Sequence, residues 1–170
     1  MRHVLSVLVD NQAGVLSRVS GLFSRRGYNI DSLSVGETED PAISRITVVV
    51  HGDDHVLEQI AKQVKKLIDC KELTELVADS SVYRELALIK IAAKASDRPE
   101  IVGIAEIFRA NIIDVSASSI TVEITGDENK IAAFTELMQP YGIIETARTG
   151  LTGLQRGSSS LKEKSGENIA

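Results

Sequence analysis

Apolar residues in the first half of the chain alternate between two periods. Residues 3–9, "HVLSVLV", read as a strand rich in β-branched and aliphatic side chains. Val15, Leu16, Val19, Leu22 and Phe23 then recur at the spacing of one helix face. "YNIDSLSVGET" (28–38) predicts a second strand, and a turn around Asp40-Pro41 leads to a third, "ISRITVVVH" (43–51). Val56, Leu57, Ile60, Val64, Leu67 and Ile68 return to the helical period, behind Asp53 or Asp54, either of which can cap that helix. "KELTELV" (71–77) closes the unit as a strand. The order is βαββαβ.

The pattern then repeats. Residues 44–54, "SRITVVVHGDD", align without a gap with residues 118–128, "SSITVEITGDE". Each copy is a β-branched strand, a glycine and an acidic helix start. Each is preceded by a helix ending in Phe (Phe23, Phe108), an Asn and an Ile-Asp pair (Ile30-Asp31, Ile113-Asp114). The second unit opens with "YRELALIKIAA" (83–93), and Ser96 or Asp97 caps a helix with Pro99 in its first turn. Ile101, Ile104, Ala105 and Phe108 form the apolar stripe of that helix. "NIIDVSA" and "SITVEIT" are the middle strands, Asp127 starts a helix carrying Ile131, Phe134 and Met138, and "IIETART" is the last strand. A unit of about 75 to 80 residues that occurs twice indicates two homologous small domains, because two copies are too few for a solenoid.

With right-handed crossovers, each unit is an α+β, ferredoxin-like sandwich, an antiparallel sheet carrying two helices on one face. Runs such as Val48-Val49-Val50 are apolar on both faces. The open face of the sheet, or one of its edges, is therefore expected to be covered by a second copy, giving a homodimer. "GSSSLKEKSGENIA" at the C-terminus is polar and is expected to be mobile.

Composition narrows the function. The net charge of −5 offers no basic footprint for nucleic acid. No apolar run reaches membrane-spanning length. The first residues read as a strand rather than a signal-peptide core, and the one cysteine, Cys70, cannot form an internal disulfide, so a cytoplasmic location is expected. Trp is absent, and Phe and Tyr number three each, so a small aliphatic ligand suits the chain better than a nucleobase.

Catalytic chemistry leaves a cluster of acids, bases or ligands, and none is visible. His51 and His55 have no nearby thiolate or third histidine and read as solvated surface residues. Cys70 reads as a small strand residue. Ser17, Ser20 and Ser24 lie on the polar side of a helix, without a nucleophile elbow. Binding is better supported. Asn11-Gln12-Ala13-Gly14 leads directly into a helix, so amides around Gly14, Val15 and Leu16 face outward with the positive end of the helix dipole, which suits a carboxylate. Gly14 allows close approach, and Asn11 offers donors and an acceptor. The same residues also serve simply to shape a turn.

Taken together, "NQAGVLSRVSGLFSRRGYNIDSLSVGETEDPAISRITVVV" (11–50) resembles the opening of the small, regulatory subunits of acetohydroxyacid synthase, also called acetolactate synthase. "RELALIKI" (84–91), "FRANIIDVS" (108–116) and "ARTG" (147–150) are similar to the same family, and the resemblance runs to Gly157. It implies an effector-binding ACT domain at 1–78, an ACT-like domain at 79–157 and a flexible tail at 158–170. It also implies a non-catalytic chain that binds and activates a large catalytic subunit and confers feedback inhibition by branched-chain amino acids, typically valine. Thiamine diphosphate, Mg and FAD are then expected on the catalytic subunit, and no cofactor in this chain. The effector is expected where two ACT domains meet, held by the turn of one chain and the start of the second strand of the other. On this sequence those residues are Asn11, Ala13, Gly14, Val15, Leu16, Asn29 and Ile30. The second unit has no counterpart of the Asn11–Gly14 turn around Ser96–Pro99, so it is not expected to bind valine in the same way. A free-standing amino-acid sensor, a purely structural subunit and an enzyme in its own right are the rival readings.

Overall fold

A strand that is mostly aliphatic on both faces needs burial on both sides, and the first strand has it. In a computed structural model that describes residues 1–162, β1 (Arg2–Asp10) is buried from His3 to Val9. Residues 163–170, most of the tail expected to be mobile, lie outside the described residues. The chain divides into two units, one of residues 1–82 together with the chain from Leu151 onward, the other of residues 83–150.

In the first unit, β1 is followed by α1 (Val15–Arg25), β2 (Ile30–Glu37), β3 (Ile43–His51), α2 (Asp54–Lys65) and β4 (Cys70–Glu75). The strands form an antiparallel sheet in the order β2-β3-β1-β4. Leu5, Val7 and Val9 of β1 and Ile46, Val48 and Val50 of β3 share one face and pack against Val15, Val19 and Phe23 of α1 and Leu57, Ile60 and Val64 of α2. Both helices therefore cover the same face, as the βαββαβ order requires.

The second unit repeats the plan with β5 (Ser81–Ala92), α3 (Arg98–Ile107), β6 (Asn111–Val115), β7 (Ser119–Gly126), α4 (Glu128–Met138) and β8 (Ile143–Arg148), in the order β6-β7-β5-β8. Ile120, Val122 and Ile124 occupy in its core the places that Ile46, Val48 and Val50 hold in the first. The helix starts match too. Asp53 accepts from the His55 amide at 2.7 Å and Asp127 from the Lys130 amide at 2.9 Å.

Three details depart from the sequence pattern. Ile68 is 91% exposed, because α2 ends at Lys65 before its period reaches that residue. Phe108 is not the counterpart of Phe23. The bond closing α1, Tyr28 N–H to Phe23 O, corresponds to Ala110 N–H to Ala105 O on α3, and Phe108 instead packs edge-on against Phe134 at 5.5 Å. A further strand, β9 (Thr152–Gln155), pairs with β5, whose first residues Ser81 and Val82 belong to the same unit as β9.

The far face of the first sheet needs no second copy to cover it. Val4, Ser6, Leu8, Thr47 and Val49 are already buried within one chain. Residues returning after 150 contribute to this. The Leu151 amide donates to Ser32 Oγ at 2.8 Å, Ser34 Oγ donates to Leu151 O at 3.0 Å, and Leu151 and Leu161 are buried. Of the two places where a second copy was expected, the edge of the sheet remains. There β2 and β4 are the outer strands, each with a neighbour on one side only among the described residues.

The two matching caps give a paired prediction. Asp53→Ala and Asp127→Ala should each lower stability by about 1 kcal/mol in chemical denaturation, because each leaves a helix-start amide without its acceptor. A loss confined to one of them would contradict the equivalence of the two units.

Candidate functional site

The turn after β1 is held by backbone on both flanks. The Asp10 amide donates to Asp69 O at 2.9 Å and the Asn11 amide to Ala42 O at 2.8 Å. Gly14 occupies the cap of α1 in the left-handed region, φ 86°, where a side chain would be strained. It brings no capping side chain, and the first turn of α1 holds no acidic residue. The Val15 amide reaches Gln12 O at 3.4 Å and its side chain is in the core. The amides of Ala13, Gly14 and Leu16 have no acceptor among the described residues. They form a concave row of donors at the positive end of a helix, a site for an anion.

A cation stands beside that row. Arg18 lies one helical turn after Gly14, and its Nη1 would be 3.2 Å from a Cβ placed on that glycine. Its Nε and Nη2 are each 2.8 Å from Oδ2 of the buried Asp69, which fixes the guanidinium. Sequence reasoning passed over Arg18. The available signal was its spacing of four from Gly14, which places the two on one face of the helix.

The remaining expected residues divide by chemistry. Asn11 Nδ2 donates to Glu37 Oε1 at 3.2 Å and to Pro41 O at 2.9 Å, so both its amide hydrogens are committed to the β2–β3 hairpin and its open atom is the carbonyl oxygen. Asn29 Nδ2 donates to Asp31 Oδ1 at 3.3 Å, which again leaves the oxygen open. Asp31 is paired in turn with His51 Nδ1. Leu16 is 40% exposed, and Ile30 packs partly against the core. The segment carrying Asn29 is anchored by Tyr28, whose Oη donates to Asp53 O at 2.9 Å and whose ring fills the space where a Cβ on Gly52 would sit.

These residues do not meet within one chain. Asn11 follows Asp10, which faces Ile43, whereas Asn29 precedes Ile30, which faces Val50. From Ile43 to Val50 is about 23 Å along β3 at the usual rise per residue. The turn with its donors is at one end of the sheet, and the Asn29–Ile30 pair is at the other. In the second unit Asn111 faces Glu123, level with Ser32 rather than with Asn29.

No group of three or more metal-ligating side chains occurs among the described residues. No helix among them is long and apolar enough to cross a membrane. His55 approaches Gln59 at 3.2 Å. Cys70 is half-buried, and burial, then the nearby Glu72 carboxylate, push its thiol up to about 11. Alkylation of Cys70 by iodoacetamide at pH 8 should therefore run roughly a hundredfold slower than that of a free cysteine, and speed up toward pH 11. Mass-spectrometric labelling checks this, and labelling at the rate of free cysteine would contradict it.

Comparison with known proteins follows the same two halves. A family model described as the AHAS small subunit-like ACT domain matches residues 5–72, and one described as the small subunit of acetolactate synthase matches residues 84–157. A probable acetolactate synthase small subunit of Archaeoglobus fulgidus is 53% identical over 158 residues, 93% of this chain and 99% of that protein. The acetolactate synthase small subunit of Bacillus subtilis is 48% identical over 100% of this chain and 99% of its own length. The crystal structure of the small subunit from Thermotoga maritima matches with a TM-score of 0.86 and 42% identity, covering 94% of this chain and 99% of that one.

Proposed function

The chain belongs to the family of acetolactate synthase small subunits, and we propose that it activates the catalytic subunit and makes it sensitive to valine. In this reading the chain is non-catalytic. Thiamine diphosphate, Mg and FAD reside on the catalytic subunit, which forms acetolactate from pyruvate. The chain works in the cytoplasm, where a single unpaired cysteine is at home.

One observation carries the effector site. A donor-lined turn and an acceptor-bearing strand start lie at opposite ends of one sheet, so each chain holds half of two sites. If two β2 edges run antiparallel with the strand centres opposed, Ile30 of one chain comes level with Glu37 of the other. Glu37 is the residue that Asn11 holds at the turn end. The valine carboxylate then meets the amides of Ala13, Gly14 and Leu16 and the Arg18 guanidinium. Its ammonium meets Asn29 Oδ1 from the facing chain, and its isopropyl group lies between Leu16 and Ile30. Val15 supports the turn from the core. The ligand touches both chains, so its occupancy favours one dimer arrangement over others. An effector inhibits only by binding the inhibited arrangement more tightly than the active one.

The test is acetolactate formation by the cognate catalytic subunit, with and without this chain, across a valine titration. The chain should raise the rate and bring valine inhibition with it. Gly14→Asp places a carboxylate beside Arg18, where the ligand's own would sit. It should keep the activation and shift the inhibitory valine concentration upward by at least about tenfold, the loss of one charge-assisted contact. Unchanged valine sensitivity in Gly14→Asp would overturn the mapped site, and no effect of the chain on rate would overturn the regulatory role.

A further inference from the structure

One carboxylate beside the turn has no cation. Glu37 ends β2 opposite Ser44, on the face of the sheet that carries Ile46, Val48 and Val50 beneath both helices. Its Oε1 accepts from Asn11 Nδ2 at 3.2 Å, which holds the side chain toward the turn. Among the described residues its Oε2 meets no donor and the carboxylate no cation. The charges around it are matched elsewhere. Asp10 pairs with Lys71 at 3.1 Å, Asp69 with Arg18 at 2.8 Å, and Glu39 with Lys162. Arg45, next to Ser44 on β3, lies on the other face, where its Nη1 donates to Ser6 Oγ at 2.6 Å.

An α-amino acid carries its carboxylate and its ammonium on neighbouring atoms of one carbon. A carboxylate seated on the amides of Ala13, Gly14 and Leu16 therefore leaves the ammonium beside the acceptors of the same turn. An ammonium has three N–H donors and no acceptor. Three oxygens stand open for them: Asn11 Oδ1, Glu37 Oε2 and, from the facing chain, Asn29 Oδ1, one residue before the Ile30 that comes level with Glu37. Two of the three are neutral. Only Glu37 balances the charge of the ammonium, as Arg18 balances that of the carboxylate.

We propose that Glu37 is the counter-ion of the effector's ammonium and sets the site's preference for α-amino acids over the carboxylic acids of the same carbon skeleton. The proposal rests on the two-chain effector reading and adds to it the residue that reads the amino group. A ligand without the ammonium presents a methylene to Glu37 and to two amide oxygens. Those acceptors then lose water without gaining a donor, and the ligand's own carboxylate lies near an uncompensated anion. The site takes the zwitterion and rejects the simple acid.

The test is titration calorimetry on the full chain with valine and, by competition against it, with 3-methylbutanoate, which keeps valine's carboxylate and isopropyl group and lacks its ammonium. The wild-type chain should bind 3-methylbutanoate at least about a hundredfold more weakly than valine. Glu37→Gln removes the charge, keeps an oxygen for Asn11 Nδ2 and stands at an exposed position that does not endanger folding. It should weaken valine about tenfold and 3-methylbutanoate not at all, so the preference between them falls about tenfold. An unchanged preference in Glu37→Gln, with valine binding abolished in Gly14→Asp, would overturn the role of Glu37 and leave the effector site standing. Wild-type valine affinity in Gly14→Asp, or no valine binding by the wild-type chain, would overturn the site and the proposal together.

Discussion

A helix that begins without a capping side chain leaves its first amides in search of an acceptor, and the first unit is arranged around such a helix. Gly14 supplies the left-handed turn into α1 and nothing else. The amides of Ala13, Gly14 and Leu16 stay open, and Arg18, locked by the buried Asp69, adds a fixed positive charge beside them. Asp97, expected with Ser96 as a cap for α3, makes no capping bond there, whereas Asp53 and Asp127 cap the starts of α2 and α4. The contrast with Gly14 is chemical, since an aspartate at position 14 would fill the place that an anionic ligand needs.

The second constraint is length. Strand register sets the turn and the Asn29–Ile30 pair about 23 Å apart. No single chain closes that distance without breaking its sheet, so a ligand that needs both groups needs two chains. In the proposed dimer the second chain meets the outer edge of β2, the strand whose start carries Asn29 and Ile30. A ligand held at such a junction reports on how two copies pack, which is the property a regulatory subunit exploits.

Much of this was legible in the sequence, for local reasons. The β3 and β7 segments repeat in register without a gap because the alternation of Ile46, Val48 and Val50 is recovered in Ile120, Val122 and Ile124, and the aspartates that follow are helix caps. What escaped was long-range or depended on side-chain direction. Arg18 looks like one more surface cation until its buried partner, fifty-one positions away, is known. Leu151 looks like a linker residue until Ser32 and Ser34 bind its backbone. Phe23 and Phe108 look equivalent because both follow an apolar stripe, yet the helix-end bonds pair Phe23 with Ala105. By its sequence Asn11 is equally donor or acceptor, and only the hairpin contacts with Glu37 and Pro41 leave it one open atom.

The central claim is that each effector site is assembled from two copies, and mixing two defective chains tests it directly. Gly14→Asp disables the turn and leaves β2 intact, whereas Asn29→Ala disables β2 and leaves the turn intact. Neither variant alone should bind valine in titration calorimetry. Unfolded together and refolded as a mixture, they should recover roughly a quarter of the wild-type number of sites, because about half the dimers are mixed and each mixed dimer holds one intact site. If the mixture binds no more valine than the separate variants, the site lies within one chain and the two-copy account is wrong.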